Sequence, residues 1–168
     1  MLTQSELKEL MHYDPAAGQF VRLKARFHPQ RIGQIAGCVN KHPRRGYVVI
    51  KIHGKSYEAH RLAWLYMTGE WPKSQIDHRD EDKTNNRWDN LREATHTQNI
   101  WHRGKQKNNA SGIRGVYWRD DIGKWRAVLQ AGRKAGRKAL FSAHFATREE
   151  AAAAYAVAAR AYFGEFVR

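Results

Sequence analysis

Residues 76–99 read IDHRDEDKTNNRWDNLREATHTQN, and their reading decides the fold of the first half of the chain. Ile76-Asp77-His78 predicts a short strand, a polar loop runs to Asn90, and Leu91-Arg92 returns as a second strand. Thr95, with Gln98 three positions later, forms a capping box for a helix to about His102. Neighbouring strand residues point to opposite faces, so Asp77 and His78 can serve one site only where the strand ends or twists into the loop. An aspartate oxygen is a hard ligand suited to magnesium or manganese. A neutral imidazole takes a proton from water near neutral pH. The helix carrying Asn99 offers a second oxygen ligand. Hydrolysis of a phosphodiester needs these functions together, since a water must lose a proton while charge builds on the phosphorus oxygens and the leaving oxygen. The same residues also suit turn caps and Asx turns in a polar loop, which is how Asn85 and Asn86 read. Arg92 and His96 are candidate phosphate contacts, with solvated helix-end positions as the alternative.

Working upstream, Thr3 and Glu6 cap a short helix whose Leu7, Leu10 and Met11 share a face. Asp14-Pro15 and Gly18 mark a turn before a strand around Phe20 to Leu23, and Ala25 to Lys41 is poorly patterned. YVVIKI, with Val48, Ile50 and Ile52 alternating, turns at His53-Gly54-Lys55 into SYEAH, a hairpin. A mostly apolar helix, RLAWLYMTG, ends near Gly69. His60 sits at the strand-to-helix junction, where a packed, hydrogen-bonded role is expected.

Downstream, GIRGVYWRDD, GKWRAVLQ and RKALFSAHF are three strand candidates. TREEAAAAYAVAARAYFG follows as an alanine-rich helix, capped by Thr147 and Glu150, with Ala151, Tyr155, Ala158 and Tyr162 as the stripe expected on the sheet. Arg114, Arg119, Lys124 and Arg126 interleave with Tyr117, Trp118 and Trp125. Such a sheet suits a major groove or stacked single-stranded bases, against the alternative of a solvated sheet.

Thirty Lys and Arg against sixteen Asp and Glu give a formal charge of +14 over 168 residues. That balance implies a polyanionic partner, nucleic acid first. An anionic membrane is opposed by the lack of a long apolar run or basic amphipathic helix. Cys38 is the single cysteine, which excludes an internal disulfide and Cys-rich zinc sites, and fits a reducing compartment.

The series HRLAW, DH, NNRWDNLR and QN resembles the HNH homing endonucleases of phages and introns, the ββα-metal nucleases, over most of residues 1–103. The resemblance implies one divalent cation, Mg2+ or Mn2+, with Asp77 and Asn99 as ligands and no structural zinc. It also implies His78 as general base and Asn90 as a brace between the two strands. Arg79 and Glu81 stand where Ile and Gly are common in the family. SGIRGVYW, GKWRAVL and HFATREEAAAAYAVAARAYFGEF are similar to the AP2 DNA-binding domain, a three-stranded antiparallel sheet backed by a helix. By position, Arg114, Arg119, Trp125 and Arg126 then face the groove or its phosphates, with Lys124 beside them, while the turn DDIG points away from DNA. The expectation is an α+β protein with a nuclease domain at 1–104, a linker at 105–111 and an AP2-like domain at 112–168. It would be an intracellular DNA endonuclease, in the cytoplasm of a bacterial or phage-infected cell, with double-stranded DNA as partner and no obligate protein partner. A non-catalytic DNA-binding regulator built on an HNH scaffold is the alternative, and an RNA-binding protein a third.

Overall fold

The computed structural model describes residues 1–25, 28–40, 46–102, 111–130 and 139–166. It forms two compact units, Met1–Ala94 and Thr95–Arg168. The expected linker at 105–111 lies almost wholly outside the described residues.

In the first unit, Thr3 caps α1 (Gln4–Leu10) by accepting the Glu6 N–H. α1 leads into the hairpin β1 (Met11–Asp14) and β2 (Gln19–Arg22). Asp14 Oδ1 accepts the N–H groups of Ala16 and Ala17 at 2.9 and 3.0 Å, closing the turn that Gly18 completes at φ +70°. The unpatterned region holds a 3-10 turn at Pro29–Arg31 and the short β3 (Cys38–Val39). β3 pairs with β4 (Val48–Ile52), and β4 with β5 (Lys55–Glu58), in an antiparallel sheet of order β3-β4-β5. Alternation in β4 buries Ile50 and Ile52 and exposes Lys51, as a half-covered sheet requires.

Helix α2 (Ala59–Thr68) starts directly from β5, so His60 lies in its first turn. Leu62, Ala63 and Leu65 face the core with Leu7, Tyr13, Phe20 and Ile50. Burying each large side chain contributes roughly 1.5–3 kcal/mol. β6 (Gln75–His78) and β7 (Leu91–Ala94) form the expected antiparallel pair, with Asp77 opposite Arg92 and His78 opposite Leu91. Ile76 and Leu91 anchor that pair to the core.

The second unit begins with α3 (His96–His102), which touches the C-terminal turn Gly164–Phe166. β8 (Val116–Arg119), β9 (Lys124–Leu129) and β10 (Phe141–Phe145) form an antiparallel sheet of order β10-β9-β8. α4 (Arg148–Phe163) packs on it, its N-terminus closed by the Thr147–Glu150 capping box. The helix buries Ala151, Tyr155 and Ala159. The expected stripe thus continues at a strict spacing of four, leaving Ala158 half-buried and Tyr162 54% exposed. A Cβ on Gly115 would stand 2.2 Å from Tyr155 Cε2, so the glycine makes room for that ring.

Candidate active site

β6 delivers Asp77 and His78 to different surroundings, as the pleat demands. Asp77 meets its cross-strand neighbour: Arg92 Nε and Nη2 lie 3.0 and 2.9 Å from Asp77 Oδ2, and both side chains are 7% exposed. Arg92, expected at a phosphate, is therefore buried against a carboxylate. The strand register places the guanidinium there, because Arg92 is the residue opposite Asp77.

His78 is buried, its Nε2 3.3 Å from Asn86 Oδ1. Its ring stands edge-on to His60, with centroids 5.1 Å apart, and 6.0 Å from Tyr47. Burial, then the neighbouring His60, lowers the His78 pKa below its ordinary value, outweighing the Asn86 hydrogen bond and the fields of Asp80 and Asp77. The neutral imidazole, the form able to accept a proton, is thereby favoured. His60 is buried with Nε2 3.4 Å from Glu58 Oε2, while its Nδ1 has no hydrogen-bond partner among the described residues.

The loop between the strands is bound together by its own side chains. Asn90 Nδ2 donates to Asp80 Oδ1 at 2.9 Å and to the Asn85 carbonyl at 2.8 Å, while its Oδ1 accepts the Asp80 N–H at 3.1 Å. Burial alone would raise the Asp80 pKa, but hydrogen bonds from Asn85, Asn90 and the Asp82 amide hold it below the usual range. Thr84 does the same for Asp82 through its hydroxyl and backbone N–H. Glu81 adopts φ +65°, the left-handed region that glycine enters most readily.

Asn86, whose sequence context suggests only a turn residue, belongs to the site. It is 2% exposed, and its Nδ2 donates to the Thr84 carbonyl at 3.1 Å, leaving Oδ1 toward His78. Its own carbonyl accepts the Tyr13 hydroxyl at 2.6 Å. Burial, with Asp14 and Asp89 nearby, raises the Tyr13 phenol well above its ordinary pKa and keeps that donor protonated.

In the second unit, Asn99 lies on α3, where its backbone N–H donates to the Thr95 carbonyl, and His96 opens the same helix. The sheet separates residues expected together. Tyr117, Arg126 and His144 form one cross-strand row, and Arg119 with Lys124 another, on the open face. Val116, Ala127 and Leu129 lie on the face covered by α4, and Trp125 falls there too, against the core and 5.5 Å from Trp118. Trp125 thus occupies the opposite side of the sheet from Arg126, because the pleat alternates. Arg126 donates to Ser142 Oγ and stands 5.9 Å from the Tyr117 ring. Arg119 Nε is 2.7 Å from Asp121 Oδ1 in the following turn. Arg114 is half-buried in the turn before β8.

The sequence profile described as HNH endonuclease matches residues 57–100. An HNH segment lies there. It contains α2, the β6–β7 pair and the loop just described, and extends into α3. Protein 3.8 of Escherichia phage T7 is 35% identical over 78 residues, which are 46% of this chain and 64% of that protein. A solved structure described as DNA binding and cleavage by the HNH homing endonuclease I-HmuI is 25% identical and has a TM-score of 0.40. That match covers 54% of this chain and 49% of the solved one. The chain therefore spans less than two thirds of the phage protein and about half of the solved chain. Among the described residues, no three His, Cys, Asp or Glu come together as a metal-binding group. No helix among them is long and apolar enough to cross a membrane.

Proposed function

We propose that this protein is a metal-dependent DNA endonuclease in which His78 removes a proton from the water that attacks the phosphodiester. The observation that carries the reading is the state of His78 within the HNH segment. It is buried, biased toward the neutral form, and its Nε2 is occupied by the Asn86 carboxamide. Because Oδ1 is an acceptor, that bond needs the hydrogen on Nε2, and the lone pair of the neutral ring then resides on Nδ1.

Asp77 and Asn99 are the proposed ligands of one divalent cation. A sparse oxygen donor set suits a hard ion such as Mg2+ or Mn2+, which retains waters and takes phosphate oxygens, and does not suit zinc. When bound, such an ion stabilises charge on the phosphate and leaving oxygens. Asn90 keeps the loop folded around Asp80. In the second unit, residues 95–168 hold 14 Lys and Arg against 5 Asp and Glu. We read its sheet as an AP2-like surface for duplex DNA, with Arg126, Arg119, Lys124 and Arg114 as contacts, Trp125 as support for that sheet, and His96 as a phosphate contact. Tethering it to the nuclease raises the local concentration of DNA at the active site. The compartment proposed is the interior of a cell holding that DNA.

One observation favours the second reading, a DNA-binding regulator that does not cut. The Asp77 carboxylate is already neutralised by Arg92, which makes it a poorer metal ligand. Incubating supercoiled plasmid with the protein decides between them. The nuclease reading expects nicked or linear product with magnesium or manganese and none with EDTA. Retarded but intact plasmid under all metals would favour the regulator.

A further inference from the structure

The N-terminal hairpin lies outside the matched HNH segment, yet it encloses the backbone next to His78's partner. Tyr13, at the end of β1, donates its hydroxyl to the Asn86 carbonyl at 2.6 Å. Pro15, in the turn, accepts the Trp88 N–H at 3.0 Å. Gly18, at the close of that turn, lies so near that a Cβ would sit 2.4 Å from Arg87 N and 2.5 Å from the Asn86 carbonyl carbon. Residues 86–88 are thus gripped at three successive positions by one turn about 70 residues away in sequence. The hydrogen bonds are of ordinary length, and the Gly18 contact is closer than any side-chain-bearing residue allows.

We infer that this hairpin is a positioning clamp for His78, acting through Asn86. The clamp fixes the Asn86 backbone, and the Thr84 carbonyl fixes its carboxamide with Nδ2 outward. Oδ1 is left 3.3 Å from His78 Nε2. An acceptor held there selects the Nε2–H tautomer and aims Nδ1 at the site where a water would be activated. Tyr13, Gly18 and Asn86 are positioning residues, since none is placed against a reacting atom. The role in cleavage rests on the nuclease reading, while the selection of the tautomer does not.

The experiment uses the full chain with 15N-labelled histidine. Long-range proton–nitrogen correlations of the His78 ring report which nitrogen carries hydrogen, and single-turnover cleavage and DNA affinity are measured alongside. The wild type should show a single Nε2–H tautomer. Asn86→Leu, close in volume but without an acceptor, should show a mixture or the Nδ1–H form and cut roughly 10–100-fold more slowly, with DNA affinity within about twofold. Asn86→Asp, which restores an acceptor oxygen, should restore the Nε2–H form. Tyr13→Phe removes one hydrogen bond without a clash and should give a smaller loss of the same kind. Gly18→Ala should give a larger one, and its thermal unfolding separates displacement of the loop from failure to fold. An unchanged tautomer and unchanged rate in both Asn86→Leu and Tyr13→Phe would overturn the clamp. A wild type that cuts no DNA with any divalent metal would end the nuclease reading, and the tautomer comparison would still decide whether the hairpin positions His78.

Discussion

Removing Arg92 offers the sharpest test of how Asp77 is held. Its guanidinium places two N–H groups on one carboxylate oxygen at 2.9 and 3.0 Å, with both residues 7% exposed. At about 3 Å and an effective dielectric of about 20, the attraction is roughly 5–6 kcal/mol. Desolvation of both ions offsets much of it, so the pair adds little net stability. Arg92→Leu, however, leaves Asp77 buried and uncompensated, a loss of roughly 3–5 kcal/mol. Against a total of roughly 5–15 kcal/mol for a domain, that is a large fraction. Urea unfolding followed by tryptophan fluorescence should show it, and Asp77→Leu combined with Arg92→Leu should recover most of the stability. Divalent cation should stabilise Arg92→Leu more than the wild type, because the ion can then replace the guanidinium as partner of Asp77. If Arg92→Leu unfolds within about 1 kcal/mol of the wild type, or if the double substitution recovers nothing, the pair is not what holds Asp77.

Three further outcomes follow from the site and the open sheet. Glu81 occupies the left-handed region at φ +65°, so Glu81→Gly should raise stability by about 1 kcal/mol and Glu81→Val should lower it, read by chemical denaturation. The His78 pKa is lowered in the folded state, so the unfolded chain binds its proton first as pH falls. Stability should be full above the ordinary histidine range and decline as pH falls through and below it, and His78→Asn should flatten that slope; an identical slope in the variant would refute the assignment. Asp121 engages Arg119 in the turn after β8, so Asp121→Asn should tighten DNA binding and steepen its log–log salt dependence by about one unit. An unchanged slope would remove Arg119 from the interface.

The parts of the fold legible in the sequence are those whose signals are local. The β4–β5 hairpin follows from the alternation of Val48, Ile50 and Ile52, and the β6–β7 pair from polar punctuation around Asp77 and Leu91. The α4 cap at Thr147 and the inward faces of Ala151 and Tyr155 are local too. Tyr162 misleads because a spacing of three or four admits two stripes, and only the packed sheet selects the one through Ala159. Period two sets Trp125 on the other face of β9 from Lys124 and Arg126, but which of the two faces α4 covers emerges only from the packed unit. Arg92 carries the charge of a phosphate contact, and only the register that sets it opposite Asp77 reveals its burial. Asn86 lies furthest from sequence reach, since its clamp at Tyr13 is 73 positions distant and no periodicity connects them.

The central claim is that the buried imidazole of residue 78 activates the attacking water. Comparing the wild type with His78→Ala on a labelled duplex, in magnesium and under single-turnover conditions, tests it most directly. The variant should bind the duplex with nearly the same affinity and lose most of its cleavage. A cleanly prepared His78→Ala protein that cuts at the wild-type rate would contradict it.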